Sequence, residues 1–114
     1  MLLKSVKIVA LLSLGLVPFS AATAWAEEHI VIILGSAYFP QHTVVAEGDV
    51  VRFVNVSGRD HTVINSEGKW ATLKMADGEE LLVEIEPDMT GPFHGKAKTK
   101  ISGRLDMLRR SSSN

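Results

Sequence analysis

Short runs in which apolar and polar residues alternate dominate the chain after residue 26. In residues 49–55, Val51 and Phe53 lie on one face and Arg52 on the other, a period of two that is typical of a half-buried strand. Residues 30–34 are instead continuously apolar and rich in β-branched residues, which predicts a strand buried on both faces. The alternating pattern recurs in residues 81–86 and 104–107.

Turn signals separate these runs, and no capped amphipathic helix is visible. The turns fall at residues 47–49, 57–60, 66–68, 77–78 and 89–92. Residues 70–75 have the composition of a single helical turn, which Asp77-Gly78 would end. Short strands at this spacing predict an all-β sandwich.

The first 26 residues have the pattern of a secretory signal peptide. Lys4 and Lys7 precede an apolar run over residues 8–17, and Ala24-Trp25-Ala26 follows, which is a small-x-small cleavage pattern. The run is too short for a membrane span, which needs roughly 20 residues. We therefore predict a cleaved signal peptide at 1–26, no stable membrane anchor, and a periplasmic or secreted product.

Composition narrows the remaining possibilities. The chain has 114 residues with 12 basic and 13 acidic side chains, and the predicted leader carries only basic ones, so the remainder is net acidic. This balance argues against a nucleic-acid partner. The chain has no cysteine, which excludes disulfides, thiolate metal sites and a lipid-attachment cysteine. We expect one domain over 27–108, a monomer, and a disordered polar tail over 109–114.

The front half of this domain resembles the cupredoxin family, in particular small cupredoxins of the amicyanin and plastocyanin type. The resemblance rests on Phe39-Pro40, Thr43-Val44-Val45, Gly48-Asp49, Val51, Phe53, Asn55 and His61-Thr62-Val63. It implies a Greek-key β-sandwich in which His61 stands at the position of the first copper-ligand histidine.

The back half resembles the family only as scaffold. Anchored on Phe93 and Gly103, the family alignment places Gly95 at the ligand cysteine, Lys98 at the second histidine and Ile101 at the axial methionine. Any other registration also lacks a cysteine. Because a blue copper centre depends on a short copper–thiolate bond, we expect no type 1 copper site, and the resemblance to a copper electron carrier does not extend to that activity.

Three histidines are candidate metal ligands. His61 is either a ligand for an ion such as copper or a satisfied loop histidine positioned by Asn55 and Asp60. His94 is predicted to point away from His61 by strand alternation, so a shared site would need a local distortion at Gly95.

His29 is the third candidate and depends on the cleavage site. Cleavage after Ala26 would create the amino terminus Glu27-Glu28-His29, whose amine, two amides and imidazole suit square-planar copper(II) or nickel(II). The alternative is an ordinary histidine before the first strand of the domain. His42 has no evident partner and is expected on the surface, and Met75, Met89 and Met107 are the available thioethers.

Three functions remain open, none of them enzymatic, because no nucleophile and base are paired. The first is a cupredoxin-like binding module of the cell envelope that handles copper through His61. The second is a metal-free protein that docks a partner at the His61 end with the basic loop 95–100, which contains Lys96, Lys98 and Lys100. The third is copper electron transfer, which the missing cysteine disfavours.

Overall fold

The described part of the chain consists of strands, turns and loops. The computed structural model describes residues 4–5, 26–96 and 101–108, and these contain ten strands and no helix. The strands are β1 (Lys4–Ser5), β2 (Glu28–Ile33), β3 (Tyr38–Phe39), β4 (His42–Val45), β5 (Val50–Asn55), β6 (Ile64–Asn65), β7 (Trp70–Ala71), β8 (Glu80–Glu84), β9 (Gly91–His94) and β10 (Ser102–Met107).

Two mixed sheets form the sandwich. The smaller has the order β3-β2-β5-β8 and the larger the order β1-β7-β6-β9-β10-β4. In the small sheet β2 runs parallel to β5, which is antiparallel to β8. In the large sheet β10 lies between antiparallel β9 and parallel β4. The predicted all-β sandwich is therefore confirmed.

The core lies between the sheets and is filled by alternate residues of the strands. Phe93 of β9 is at its centre, with ring centroids 4.8 Å from Tyr38, 6.0 Å from Phe53 and 6.2 Å from Trp70. Among the predicted inward residues of β5 and β10, Val51, Phe53 and Leu105 are fully buried, and Met107 is partly buried against the core. Period-two patterning therefore identified the face that each of these strands buries.

Two local predictions are wrong. Residues 30–34 are not buried on both faces, since Ile30 is 50% and Leu34 40% exposed; within the described residues no third layer covers the outer face of the small sheet. The segment 70–75 is not a helical turn, because Trp70–Ala71 forms β7. Its backbone is bonded across to the neighbouring segment instead, with Thr72 N donating to Val63 O at 2.9 Å.

Several predictions fall on residues outside the described ranges. They are the signal peptide apart from β1 and Ala26, the tail at 109–114, and the part of the basic loop that contains Lys98 and Lys100. In the six-stranded sheet β1 pairs in parallel with β7. No helix in the described segments is long and apolar enough to cross a membrane.

Candidate functional site

His61 is buried at the end of the sandwich where β5 finishes. It follows a loop that begins after Asn55, and only 4% of its surface is exposed. Its backbone forms an isolated antiparallel bridge with Met75, with two N–H···O bonds of 2.8 Å. The backbone that carries the imidazole is therefore fixed on both its donor and its acceptor side.

The hydrogen-bond partner of the His61 ring is Tyr38. The Tyr38 hydroxyl oxygen lies 2.7 Å from His61 Nε2, and the two rings meet edge to face at a centroid distance of 5.5 Å. Burial lowers the pKa of His61, and the positive charge of Arg59 lowers it further. Burial also raises the pKa of the Tyr38 phenol, so both groups are neutral at pH 7.

The hydrogen bond between neutral Tyr38 and neutral His61 can be donated by either ring. In one tautomer Nε2–H donates to the phenolic oxygen, and Nδ1 of His61 keeps a free lone pair. In the other the Tyr38 O–H donates to Nε2, and Nδ1 carries the ring proton. The first tautomer is the arrangement found for metal-ligating histidines, which donate their second ring N–H to a fixed acceptor.

Asn55 holds the loop that precedes His61. Its Nδ2 donates to Arg59 O at 2.8 Å and to Met75 O at 3.0 Å, while Oδ1 accepts from the backbone N–H of Ser57 at 3.0 Å. Asn55 therefore fixes the loop backbone, whereas the expected hydrogen bond to the His61 ring is made by Tyr38 instead. Asp60 instead forms an exposed ion pair with Lys74 at 3.6 Å.

Met75 is the nearest thioether to His61 in the sheet pairing. Directly opposed residues of an antiparallel bridge project to the same face with Cβ atoms about 5 Å apart. Met75 is 1% exposed, so its side chain is buried beside the histidine. The sequence shows Met75 as one of several methionines and gives no sign of this pairing.

His94 lies on the opposite face from His61. It pairs with Ile64 of β6, its Nδ1 lies 2.9 Å from Ser66 Oγ, and its neighbours Phe93 and Gly95 are buried while His94 is half-buried. The predicted direction of its side chain is observed. The structure thus gives His61 and His94 separate partners and does not bring them into one cluster.

The donor set of a type 1 copper site does not fit this end of the molecule. The chain has no cysteine. Gly95, at the cysteine position of the family alignment, bonds through its N–H to Ile101 O at 3.3 Å. Ile101, at the methionine position, is part of the hydrophobic core, and Lys98 is outside the described residues.

The other two histidines each contact a carboxylate. His29 Nε2 lies 2.8 Å from Asp49 Oδ2, near the start of β5 and far from His61. His42 is exposed, as expected, and its Nε2 bonds to Asp106, a partner that is not evident in the sequence. Parallel pairing of β4 with β10 brings these two residues together, which sequence spacing does not reveal.

Comparison with solved structures supports a cupredoxin-like fold. The copper(I) form of an amicyanin mutant is 23% identical over 80% of this chain and 91% of its own, with a TM-score of 0.59. An oxidized amicyanin mutant is 19% identical over 71% of this chain and 82% of its own, with a TM-score of 0.60. No protein-family model matches the chain, and no curated protein matches its sequence.

A larger copper protein contains a similar unit. A copper-containing nitrite reductase from Thermus scotoductus SA-01 is 15% identical over 82% of this chain, with a TM-score of 0.66. The match covers 25% of the reductase, so this chain corresponds to about a quarter of its length. At these identities the comparisons establish the fold alone.

Proposed function

We propose that this chain is an exported cupredoxin-like binding module of the cell envelope that handles copper through His61, without a type 1 blue copper site. The observation that carries the proposal is the 2.7 Å contact between His61 Nε2 and the Tyr38 hydroxyl. When Nε2–H donates to that oxygen, Nδ1 is available as a ligand atom. Copper is here a cargo ion rather than a resident redox centre.

The residues beside His61 favour the cuprous ion. Imidazole and thioether are donors that suit copper(I), and Met75 is the residue directly opposite His61 in the backbone bridge. The pKa of His61 is lowered mainly by burial, so the ring need not lose a proton before it binds an ion at neutral pH.

Competition between the protein and a coloured copper(I) chelator under reducing conditions tests this function. We expect the purified protein to remove copper from the chelator, His61→Ala to weaken binding at least tenfold, and Met75→Leu to weaken it while conserving side-chain volume. His42→Gln is the matched control, because His42 also contacts another side chain but lies on the surface. If His61→Ala binds copper(I) as tightly as the wild-type protein, the proposal is wrong.

A cupric titration separates this function from electron transfer of the blue copper type. Added copper(II) should give no intense thiolate charge-transfer band, because the chain supplies no thiolate. An intense visible band from the pure polypeptide would contradict the assignment.

Partner docking at the same end is a second candidate, favoured by exposed apolar side chains there. Phe39, next to Tyr38, is 65% exposed, and Leu73, two residues before Met75, is 64% exposed. Exposed apolar groups of this size are typical of contact surfaces when they cluster. If docking is the function, the wild-type protein should recover an envelope partner that the Leu73→Ser variant does not recover. Neither protein should then bind copper.

A further inference from the structure

Three potential metal ligands meet at the end of the sandwich opposite His61. His29 Nε2 lies 2.8 Å from Asp49 Oδ2 and 3.8 Å from Glu27 Oε2, and one ligand atom from each residue lies within 4.8 Å of the others. One imidazole and two carboxylates are a donor set that zinc accepts. Within the described residues this is the one group of three such side chains.

The central carboxylate is fixed before any ion binds. Asp49 is 5% exposed, and its oxygens accept from the backbone N–H of Ala46 at 2.9 Å and of Glu27 at 3.1 Å. These backbone bonds set the orientation of the carboxylate, which therefore does not depend on an ion.

The spacing of the donors is close to that of a tetrahedral site. Ligand atoms at roughly 2.0–2.2 Å from zinc in tetrahedral geometry lie about 3.3–3.6 Å apart. The two separations from His29 Nε2, 2.8 Å to Asp49 and 3.8 Å to Glu27, lie on either side of that value. The side chain of Glu27 is 76% exposed, so it is free to rotate and close the longer distance.

A recess beside the donors leaves room for a further ligand. It has a volume of about 210 Å³, and Val44, Ala46 and Leu108 line it together with the three donor residues. A catalytic or exchangeable zinc ion keeps one position for water or an external ligand. The apolar lining on one side of this recess would shield such a position without supplying a competing donor.

We infer that Glu27, His29 and Asp49 form a binding site for a divalent cation of the zinc type, with its fourth position open to the recess. The site is separate from the copper function proposed for His61. Asp49 immediately precedes β5 and Asn55 ends it, and a strand of that length spans about 20 Å.

The structure favours this site over the amino-terminal copper motif predicted for His29. That motif requires the backbone amides of Glu28 and His29 as ligands, yet both residues pair with β5 in the small sheet. Glu27 O also accepts from Val50 N at 2.9 Å. A site built from side chains leaves this pairing intact, whereas the amino-terminal motif would remove the first residues of β2 from the sheet.

Calorimetric titration of the full chain with Zn²⁺, in buffer containing excess Mg²⁺, tests the inference. The full chain holds Glu27 in a peptide bond to Ala26, so a free amine at Glu27 cannot account for binding there. We expect one zinc ion per chain, and at least a tenfold loss of affinity in both Glu27→Gln and His29→Gln. Glu27→Gln alters an exposed side chain and should fold normally.

Two controls separate this site from other histidines. His42→Gln removes a different imidazole that contacts a carboxylate, and His61→Ala removes the proposed copper ligand; both should bind zinc with wild-type affinity. The inference is overturned if the wild-type chain binds no zinc, or if Glu27→Gln and His29→Gln bind it as tightly as wild type. Loss of zinc binding in His61→Ala alone would assign the ion to the other end of the sandwich and also overturn it.

Discussion

The hydroxyl of Tyr38 and Nε2 of His61 lie 2.7 Å apart in a part of the molecule where both side chains are almost fully buried. Tyr38 belongs to the small sheet, where it pairs with Ile33, whereas His61 is bridged to Met75 beside the large sheet. This side-chain contact therefore links the two layers of the sandwich, beside the buried bond from Asn55 Nδ2 to Met75 O.

Replacing Tyr38 with phenylalanine should destabilise the fold. The change keeps the ring but leaves the His61 nitrogen without its partner, and an unsatisfied buried polar group costs about 1–3 kcal/mol. Urea denaturation measures the loss as a lower midpoint with an unchanged slope. His42→Gln, which removes a surface contact, should move the midpoint little. Equal midpoints for Tyr38→Phe and wild type would show that the contact does not stabilise the protein.

The depressed pKa of His61 predicts a stability that depends on pH. Burial, with the charge of Arg59, lowers this pKa below 6.5 in the folded protein. At pH values between the folded pKa and 6.5, the unfolded chain therefore binds more protons than the folded one. Stability is then fully present above pH 6.5 and is lost as pH falls through the folded pKa. Denaturation midpoints between pH 8 and pH 4 measure the decrease.

His61→Gln tests whether His61 causes this dependence of stability on pH. It should be less stable at pH 8, because the Tyr38 contact changes, but its stability should fall less between pH 6.5 and the folded pKa of His61. Asp49 contributes a separate decrease at lower pH, since its pKa is below 3.8. If His61→Gln loses stability over the upper window as steeply as wild type, another group is responsible.

A methyl group at Gly103 should disturb the aromatic centre of the core. A Cβ there would lie 2.5 Å from Phe93 Cζ and 3.1 Å from Gln41 O, so the ring of Phe93 must move. Overpacking of this kind costs about 1–3 kcal/mol, which thermal denaturation of Gly103→Ala would detect. Gly35→Ala is the control, because its nearest neighbour would be 3.6 Å away; equal losses in both variants would contradict the explanation.

The sequence predicts the strands and their inward residues where a strand buries only one face. Phe53 and Leu105 stand at inward positions of alternating strands, and the alternation alone identifies them. The prediction that Ile30 is buried is wrong because a continuous apolar run does not show whether another layer covers the sheet. The outer face of β2 is open among the described residues, so an apolar sequence there does not mean burial.

The site was less predictable because it depends on contacts between distant parts of the chain. His61 was identified through a family resemblance, but its partner Tyr38 lies 23 residues earlier and Asp49 lies 20 residues from His29. Neither separation matches the repeat of a strand or helix. The roles of His61, His94 and His29 as metal ligands, together with the leader, remain predictions.

The position of β10 inside the large sheet affects how the chain must fold. In the described part of the chain, β4 pairs with β10 and with no other strand of its sheet, and their register joins Thr43 to Leu105. During synthesis from the amino terminus, β4 therefore cannot pair within the large sheet until the last strand has been made. A chain truncated before Ser102 would lose the strand that joins β9 to β4, and the large sheet would be divided rather than shortened.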